Sequence, residues 1–297
     1  MPRPEELAAM RRAIVISASG LGTTSPNPPV GCVILNAAGR PVAEGYHLRK
    51  GTRHAEANAL AAAGNQATGG TAVVTLEPCN HIGLTPPCHQ ALIDAGIVRV
   101  VIALMDPTSR GEGGAERLRQ AGIHVEVPVL EEEALTVLGP WHASVTTHRP
   151  FLHLVLEADS TGQLTAPSSE AADEITRLRH SHDLVIDAHG TAEEGTSGSH
   201  GTGTFRVPAQ PLPGNPAAAL AELTGTGART VLLTGPSELS KRLLSRRLAD
   251  RLTLLHPVPE PSRTVGDVAA AMLPAGYLLS HVARTAAYLV VTAQPHH

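Results

Sequence analysis

Three short segments constrain the fold of this chain more than anything else in it: His54-Ala55-Glu56, Glu77-Pro78-Cys79 and Pro86-Pro87-Cys88. One histidine and two cysteines are the ligand set of a catalytic zinc site, in which a fourth position stays open for water. For the three to meet, two helix starts and the end of a strand must converge. The flanking sequence has that form. His54 to Ala63 is alanine-rich and helical and stops at Gly64, and Thr71 to Leu76 is a β-branched strand running toward Cys79. Cys88 to Ala95 reads as a second helix, ended by Gly96, and its N-terminus favours a thiolate. Glu56 stands two residues beyond the histidine, where it serves to move protons rather than to bind the metal.

The surrounding pattern alternates helices and strands. Glu5 to Ser19 carries a helical stripe (Leu7, Met10, Ile14, Val15), and Gly31 to Leu35 reads as a buried strand. A turn at Gly39-Arg40-Pro41 leads into a second strand through Val42 and Tyr46. Val98 to Leu104 and Val125 to Val129 are further strands, with a helix over Glu116 to Ala121 between them. This alternation predicts an α/β domain with a three-layer α/β/α build. It covers residues 1–145, its last element ends near Gly139, and residues 139–150 serve as a connector. A second α/β domain follows over residues 150–297. Its strands are Phe151 to Leu156, Leu184 to Ile186, Leu252 to Leu255 and Tyr288 to Thr292. Its helical segments are Ser169 to His180 and the strand-to-helix unit Thr230 to Leu248, with a Gly/Ser/Thr-rich loop from Gly190 to Gly203.

A chain of 297 residues has room for two such cores. The formal charge of −4 and a pI near 6.5 argue against a nucleic-acid binder. Arg242, Arg246, Arg247 and Arg251 read as one solvated helix face. No run of about 18 apolar residues is present to cross a membrane. The N-terminus lacks the apolar core of a secretory signal, and three cysteines make no disulfide framework. A cytoplasmic protein is expected, with Cys32 a buried free thiol.

The order H-x-E, then P-C, then C is the pattern of zinc deaminases. In that chemistry, water activated by zinc attacks an amino-bearing ring carbon, and a carboxylate carries protons to the ring nitrogen and to the leaving amine. The rival reading is a structural zinc site, which needs a fourth protein ligand. His81 and His89 are the residues able to supply one.

The first 130 residues resemble the deaminase half of the bifunctional riboflavin-biosynthesis deaminase/reductase family. The likeness runs through Pro26-Asn27-Pro28-Pro29-Val30-Gly31-Cys32, Glu44-Gly45-Tyr46-His47, His54-Ala55-Glu56-Ala57 and Thr75-Leu76-Glu77-Pro78-Cys79-Asn80-His81. It continues in Thr85-Pro86-Pro87-Cys88, Ala95-Gly96 and Asp106-Pro107. The long gap between the cysteines separates this family from cytidine deaminases with a Cys-x-x-Cys. The resemblance implies a cytidine-deaminase-like fold, zinc on His54, Cys79 and Cys88, and Glu56 as the catalytic residue. The implied reaction is hydrolytic deamination of a diaminopyrimidinone bearing a ribosylamino phosphate. It also implies a substrate pocket at Asn27, His47, His81, Leu84, Asp106 and Thr108. Without the family, Asn27 is a turn residue and His47 a half-exposed strand end.

Two of these positions depart from the family. Leu84 stands where the family has Lys or Arg, suited to a phosphate, and Thr108 stands where it has Asn, ahead of a one-residue deletion. The departures predict a substrate that is unphosphorylated or otherwise altered, a related amino-heterocycle of a specialised pathway. Arg49, Lys50 and Arg53 are alternative cations.

The second half resembles the family's NADPH reductase, which has a dihydrofolate-reductase-like fold, in reduced form. Val155, Asp159 and Thr161 replace the family's Lys, Ser and Asp. Glu193-Glu194-Gly195 replaces Asp-Asp-Pro, and Leu233 replaces a Glu. A domain without reductase activity is therefore expected, serving dimerisation or support of the deaminase. The expected molecule takes a small-molecule substrate and no nucleic acid or membrane, and forms a homodimer or higher homo-oligomer. The alternatives are an intact deaminase/NADPH reductase and, of another class, a non-catalytic zinc-stabilised scaffold.

Overall fold

The protein is described by a computed structural model over residues 1–80, 86–196, 198, 205–258, 273–285 and 287–296. The chain divides into two units, Met1–Thr146 and Thr147–His297.

The first unit runs α1 (Pro4–Ser17), β1 (Gly31–Leu35), β2 (Pro41–Tyr46), α2 (Ala55–Ala63), β3 (Thr71–Leu76), α3 (Cys88–Asp94), β4 (Arg99–Leu104), α4 (Gly113–Gln120), β5 (His124–Glu126) and α5 (Glu131–Thr147). Its sheet has the order β2-β1-β3-β4-β5. β1 is antiparallel to both β2 and β3, whereas the pairs β3–β4 and β4–β5 are parallel. Every residue of β1, β3 and β4 is buried, as expected of strands covered on both faces.

Two glycines show how closely the layers approach. A Cβ on Gly31 would overlap the Ala13 carbonyl of α1. One on Gly45 would lie 2.5 Å from the Ala59 nitrogen and 2.6 Å from the Ala55 oxygen of α2. Gly45 pairs with Cys32, the neighbour of Gly31, so α1 and α2 cover opposite faces of the sheet. Cys32 itself is fully buried and free, and burial pushes its thiol pKa well up.

The connector expected over 139–150 is corrected by the structure. Residues 131–147 form one helix with Pro140 inside it. Its buried residues Ala134, Leu138, Trp141 and Ser144 recur at helical spacing, and the Trp141 indole N–H donates to the Pro26 carbonyl at 3.2 Å. The Gly139-Pro140 pair reads as a break in sequence, yet this apolar stripe and the Trp141 anchor override it.

The second unit runs β6 (Phe151–Ala158), β7 (Leu164–Thr165), α6 (Ser169–Arg179), β8 (Leu184–Ile186), β9 (Ala192–Glu194), α7 (Pro216–Thr226), β10 (Thr230–Thr234), α8 (Glu238–Ser245), β11 (Arg251–Pro257), β12 (Tyr277–Arg284) and β13 (Tyr288–Pro295). Its sheet reads β12-β13-β11-β6-β10-β8-β9, with β7 beside β6. β6 pairs in parallel with β10 and β11 at the centre. Alternation along β6 makes two cores. Leu152, Leu154 and Leu156 join the larger one with Leu223 and Leu243, while Val155 joins Ala171, Val185 and Leu232. Helix α7 and strand β12 are additions to the sequence reading.

The arginine face is a further correction. Only Arg242 belongs to α8, whereas Arg246 and Arg247 lie beyond its end. Arg251 opens β11, with its guanidinium 5.3 Å from the centre of the Phe151 ring.

Candidate metal and substrate site

Each of the three ligand candidates sits at an element boundary. His54 is the residue that caps α2, Cys79 follows β3, and Cys88 is the first residue of α3. Their ligand atoms all lie within 4.8 Å of one another. Nδ1 of His54 is 3.4 Å from Cys88 Sγ and 3.6 Å from Cys79 Sγ. A tetrahedral zinc with its usual bond lengths separates nitrogen and sulfur ligands by about 3.6 Å. The three side chains thus already stand at zinc spacing, and Nδ1 is the histidine atom that faces the metal.

The cysteines polarise each other. Cys79 is pulled below the ordinary thiol range, first by a hydrogen bond from the Cys88 thiol, against the cost of burial, and then by His54. The backbone N–H of Cys88 also donates to its sulfur at 3.3 Å. Cys88 is pushed the other way by its bond to Cys79 and by burial. Two buried thiols beside an imidazole are a donor set that a divalent cation would satisfy.

Glu56 lies on the first turn of α2 and is buried. Burial and the negative charge of Cys79 raise its carboxyl to about 7. His89, one candidate for a fourth ligand, donates its Nδ1–H to the Cys79 carbonyl at 3.1 Å and is not among the residues whose ligand atoms gather at the site. His81, the other candidate, and Leu84 lie outside the described residues.

His47 is buried rather than half-exposed, which corrects the strand-end reading. Its Nδ1 faces the Arg53 carbonyl at 3.2 Å, and a carbonyl only accepts, so Nδ1 carries the hydrogen. Burial holds the ring's pKa below the ordinary value, which keeps it neutral and leaves Nε2 an acceptor. The Asn27 amide lies 3.4 Å from that nitrogen. Asn27 also fits the turn reading, with its backbone N–H donating to Thr24. The His47 and His54 rings meet edge to face at 5.2 Å between centres, so Asn27 and His47 adjoin the metal ligands.

Asp106 and Thr108 form a turn of their own. One Asp106 carboxylate oxygen accepts both the Thr108 N–H and its hydroxyl at 2.7 Å. What holds this turn beside the site is Glu77, a residue quoted in the motif but given no role from sequence. Its buried carboxylate accepts from Ala115 N–H at 2.9 Å, Ser109 hydroxyl at 2.8 Å and Asp106 N–H at 3.3 Å. Gly113 and Gly114 leave no room for a Cβ against the Glu77 carboxylate and the Pro78 carbonyl. The Glu-Pro-Cys triplet with a Gly-Gly pair downstream was the available signal.

Comparison with known proteins gives three findings. Residues 4–104 match the cytidine and deoxycytidylate deaminase zinc-binding region. The chain is 36% identical over 281 residues to the riboflavin biosynthesis protein RibD of Corynebacterium ammoniagenes, covering 82% of this chain and 83% of that protein. It is 45% identical over 163 residues to RibD of Escherichia coli. That alignment covers 54% of this chain and 44% of the relative, and the chain spans about half the length of several such relatives. The fold matches a diaminohydroxyphosphoribosylaminopyrimidine deaminase/5-amino-6-(5-phosphoribosylamino)uracil reductase of Thermotoga maritima. The TM-score is 0.80 at 24% identity, covering 98% of this chain and 99% of that one. No helix among the described residues is long and apolar enough to cross a membrane.

Proposed function

The chain belongs to the family of the riboflavin biosynthesis protein RibD, and from that premise we propose that residues 1–145 form a zinc-dependent hydrolytic deaminase of an aminopyrimidine. The observation that carries the proposal is the convergence of His54, Cys79 and Cys88 at tetrahedral zinc spacing, with Glu56 one turn away. A purely structural site has no need of that buried carboxylate, and among the described residues no fourth His, Cys, Asp or Glu joins the three ligand candidates.

Zinc, when bound, brings a water in its open position toward a neutral pKa and so supplies the nucleophile. Glu56 passes the proton it holds to the ring nitrogen of the substrate to activate the amino-bearing carbon, takes a proton back from the attacking water, and delivers that one to the departing amine. His47 has its hydrogen committed to Arg53 and presents an acceptor at Nε2 beside Asn27, suited to a ring N–H or hydroxyl. His81 joins this pocket by resemblance. The Asp106–Thr108 turn, clamped by Glu77, forms another wall.

The site differs from that of the resemblance in what it offers the anionic group of a ribosylaminopyrimidine phosphate, since Leu84 offers no cation there. The group is either missing or met from another direction.

The second unit, residues 150–297, carries no reductase activity in this reading and acts as a support or oligomerisation domain. In open α/β sheets ligands bind at the carboxyl ends of the parallel strands. There, Glu157 is consumed by the Tyr288 hydroxyl at 2.7 Å and the Ser168 N–H at 2.6 Å. Gly235, just past β10, is backed by Ala188 and Pro167 at 3.2 and 3.4 Å from where a Cβ would stand.

The test is ammonia release by the zinc-loaded protein from the phosphorylated diaminopyrimidine and from its dephosphorylated form. Turnover of either supports the deaminase. Failure with both, together with failure on other aminopyrimidines, refutes it.

A further inference from the structure

The first unit holds eleven Lys and Arg residues, and six of them are ion-paired: Arg3, Arg11, Arg12, Arg99, Arg117 and Arg119. The five without an ion pair among the described residues are Arg40, Arg49, Lys50, Arg53 and Arg110, all exposed. Four of these five gather at the metal site. Arg40 alone lies apart, in the turn between β1 and β2.

The backbone ties them there from two sides. Arg53 immediately precedes the ligand candidate His54, and its carbonyl takes the Nδ1–H of the pocket histidine His47 at 3.2 Å. Arg49 and Lys50 share its loop, which is pinned to the 20–24 segment by the Thr23 hydroxyl on the Leu48 carbonyl at 2.6 Å and by Lys50 N–H on the Thr23 carbonyl at 3.3 Å. On the other side the Arg110 carbonyl takes the side-chain amide of Asn80, the residue after Cys79, at 2.5 Å. The acidic groups nearby are occupied. Glu77 accepts three hydrogen bonds, Asp106 caps Thr108, and Glu112 pairs with Arg117.

We infer that Arg53 and Arg110, reinforced by Arg49 and Lys50, are specificity-determining residues that bind an anionic substituent of the substrate at the mouth of the site. The inference rests on the deaminase reading and deepens it. An aminopyrimidine ring is itself neutral and calls for no such charge, whereas guanidinium-bearing residues on two segments that adjoin the ligand candidates match a phosphate ester or a carboxylate. They also concentrate such a substrate at the site by their field. The charge missing at Leu84 is then supplied from the 49–53 loop and the 110 turn, so the anion sits in a different place relative to the ring.

The experiment compares kcat/KM for ribosylaminopyrimidine phosphate, its dephosphorylated form and a carboxylate-bearing aminopyrimidine. The wild type, R53A, R110A, R53K and the control R40A are each measured. The expected result is that the wild type prefers one anionic compound, and the preferred compound identifies the anion. R53A and R110A lower that preference by on the order of tenfold or more through KM with kcat retained. R53K restores part of it, R40A changes nothing, and added salt weakens the preference. Equal use of charged and neutral compounds by the wild type, or a preference untouched by R53A and R110A, overturns the inference. If the wild type turns over none of the three nor any other aminopyrimidine, the deaminase reading falls. Calorimetric titration of the phosphate ester into wild type and R53A then decides the anion site alone: binding lost in R53A upholds it, and no binding or equal binding overturns it.

Discussion

Nδ1 of His54 and Sγ of Cys88, which come from the starts of two different helices, lie 3.4 Å apart. That separation is close to the one imposed by a shared tetrahedral zinc. The fold itself brings the ligands together, because β3 and α3 carry Cys79 and Cys88 to the start of α2.

Cys88→Ser and Cys79→Ser are each expected to reduce zinc content from one equivalent to near zero, measured by metal analysis after dialysis. Chelation of the wild type lowers the stability of the first unit by about 3 kcal/mol at a free zinc level of about 100 Kd, read as a fall in its unfolding midpoint. Full zinc retention by both variants would place the metal elsewhere.

Glu77→Gln puts a donor against N–H and O–H groups that now share one carboxylate. The loss should be about 2–3 kcal/mol in the first unit by denaturant unfolding. Zinc affinity should fall with it, by about 10- to 100-fold, since groups that orient a metal's ligands carry that much. An unfolding midpoint equal to that of wild type would show that Glu77 does not hold the turn.

Leu138→Ala removes a fully buried side chain of α5 and should cost about 2–5 kcal/mol. A change under 0.5 kcal/mol would return residues 139–147 to the status of a connector.

The second unit has a built-in acid sensitivity. His153 and His182 are buried side by side, with His153 Nδ1 3.3 Å from His182 Nε2 and His153 Nε2 2.9 Å from the Thr253 hydroxyl. The Leu178 carbonyl takes the Nδ1–H of His182 at 2.8 Å. Hydrogens therefore run from His153 to His182 and from His182 to Leu178, with Thr253 donating to His153, and both rings are neutral. Burial depresses both, His182 to about 4 and His153 well below its usual value. The unfolded chain then binds protons more readily, so their contribution is complete above pH about 6.5 and is lost as pH falls toward about 4. For His182 alone this is on the order of 3 kcal/mol. Unfolding of the second unit followed from pH 7 to 4.5 checks it, and a flat profile would mean that the rings are solvated.

Much of this was legible in the sequence, for reasons visible in particular residues. The ligands and Glu56 stand in fixed order at element boundaries that alanine-rich and β-branched runs mark clearly. The central strands of both sheets followed from their apolar runs, whereas β7, β9 and β12 did not. The role of Glu77 was not legible, because the N–H and hydroxyl groups its carboxylate binds, on Asp106, Ser109 and Ala115, are brought close only by the fold. Helix α5 was hidden by Gly139-Pro140, which reads as a break although Trp141, the next residue, anchors the helix. The burial of His47 was not legible in its local pattern, because it comes from contacts with Arg53 and His54.

The most direct measurement is zinc content and ammonia release for Glu56→Gln, a change that keeps the shape of a buried side chain and removes its proton-carrying group. The account predicts one zinc per chain, an unaltered fold and a loss of turnover of about 100-fold or more on whichever aminopyrimidine the wild type accepts. One zinc per chain with wild-type turnover would contradict it.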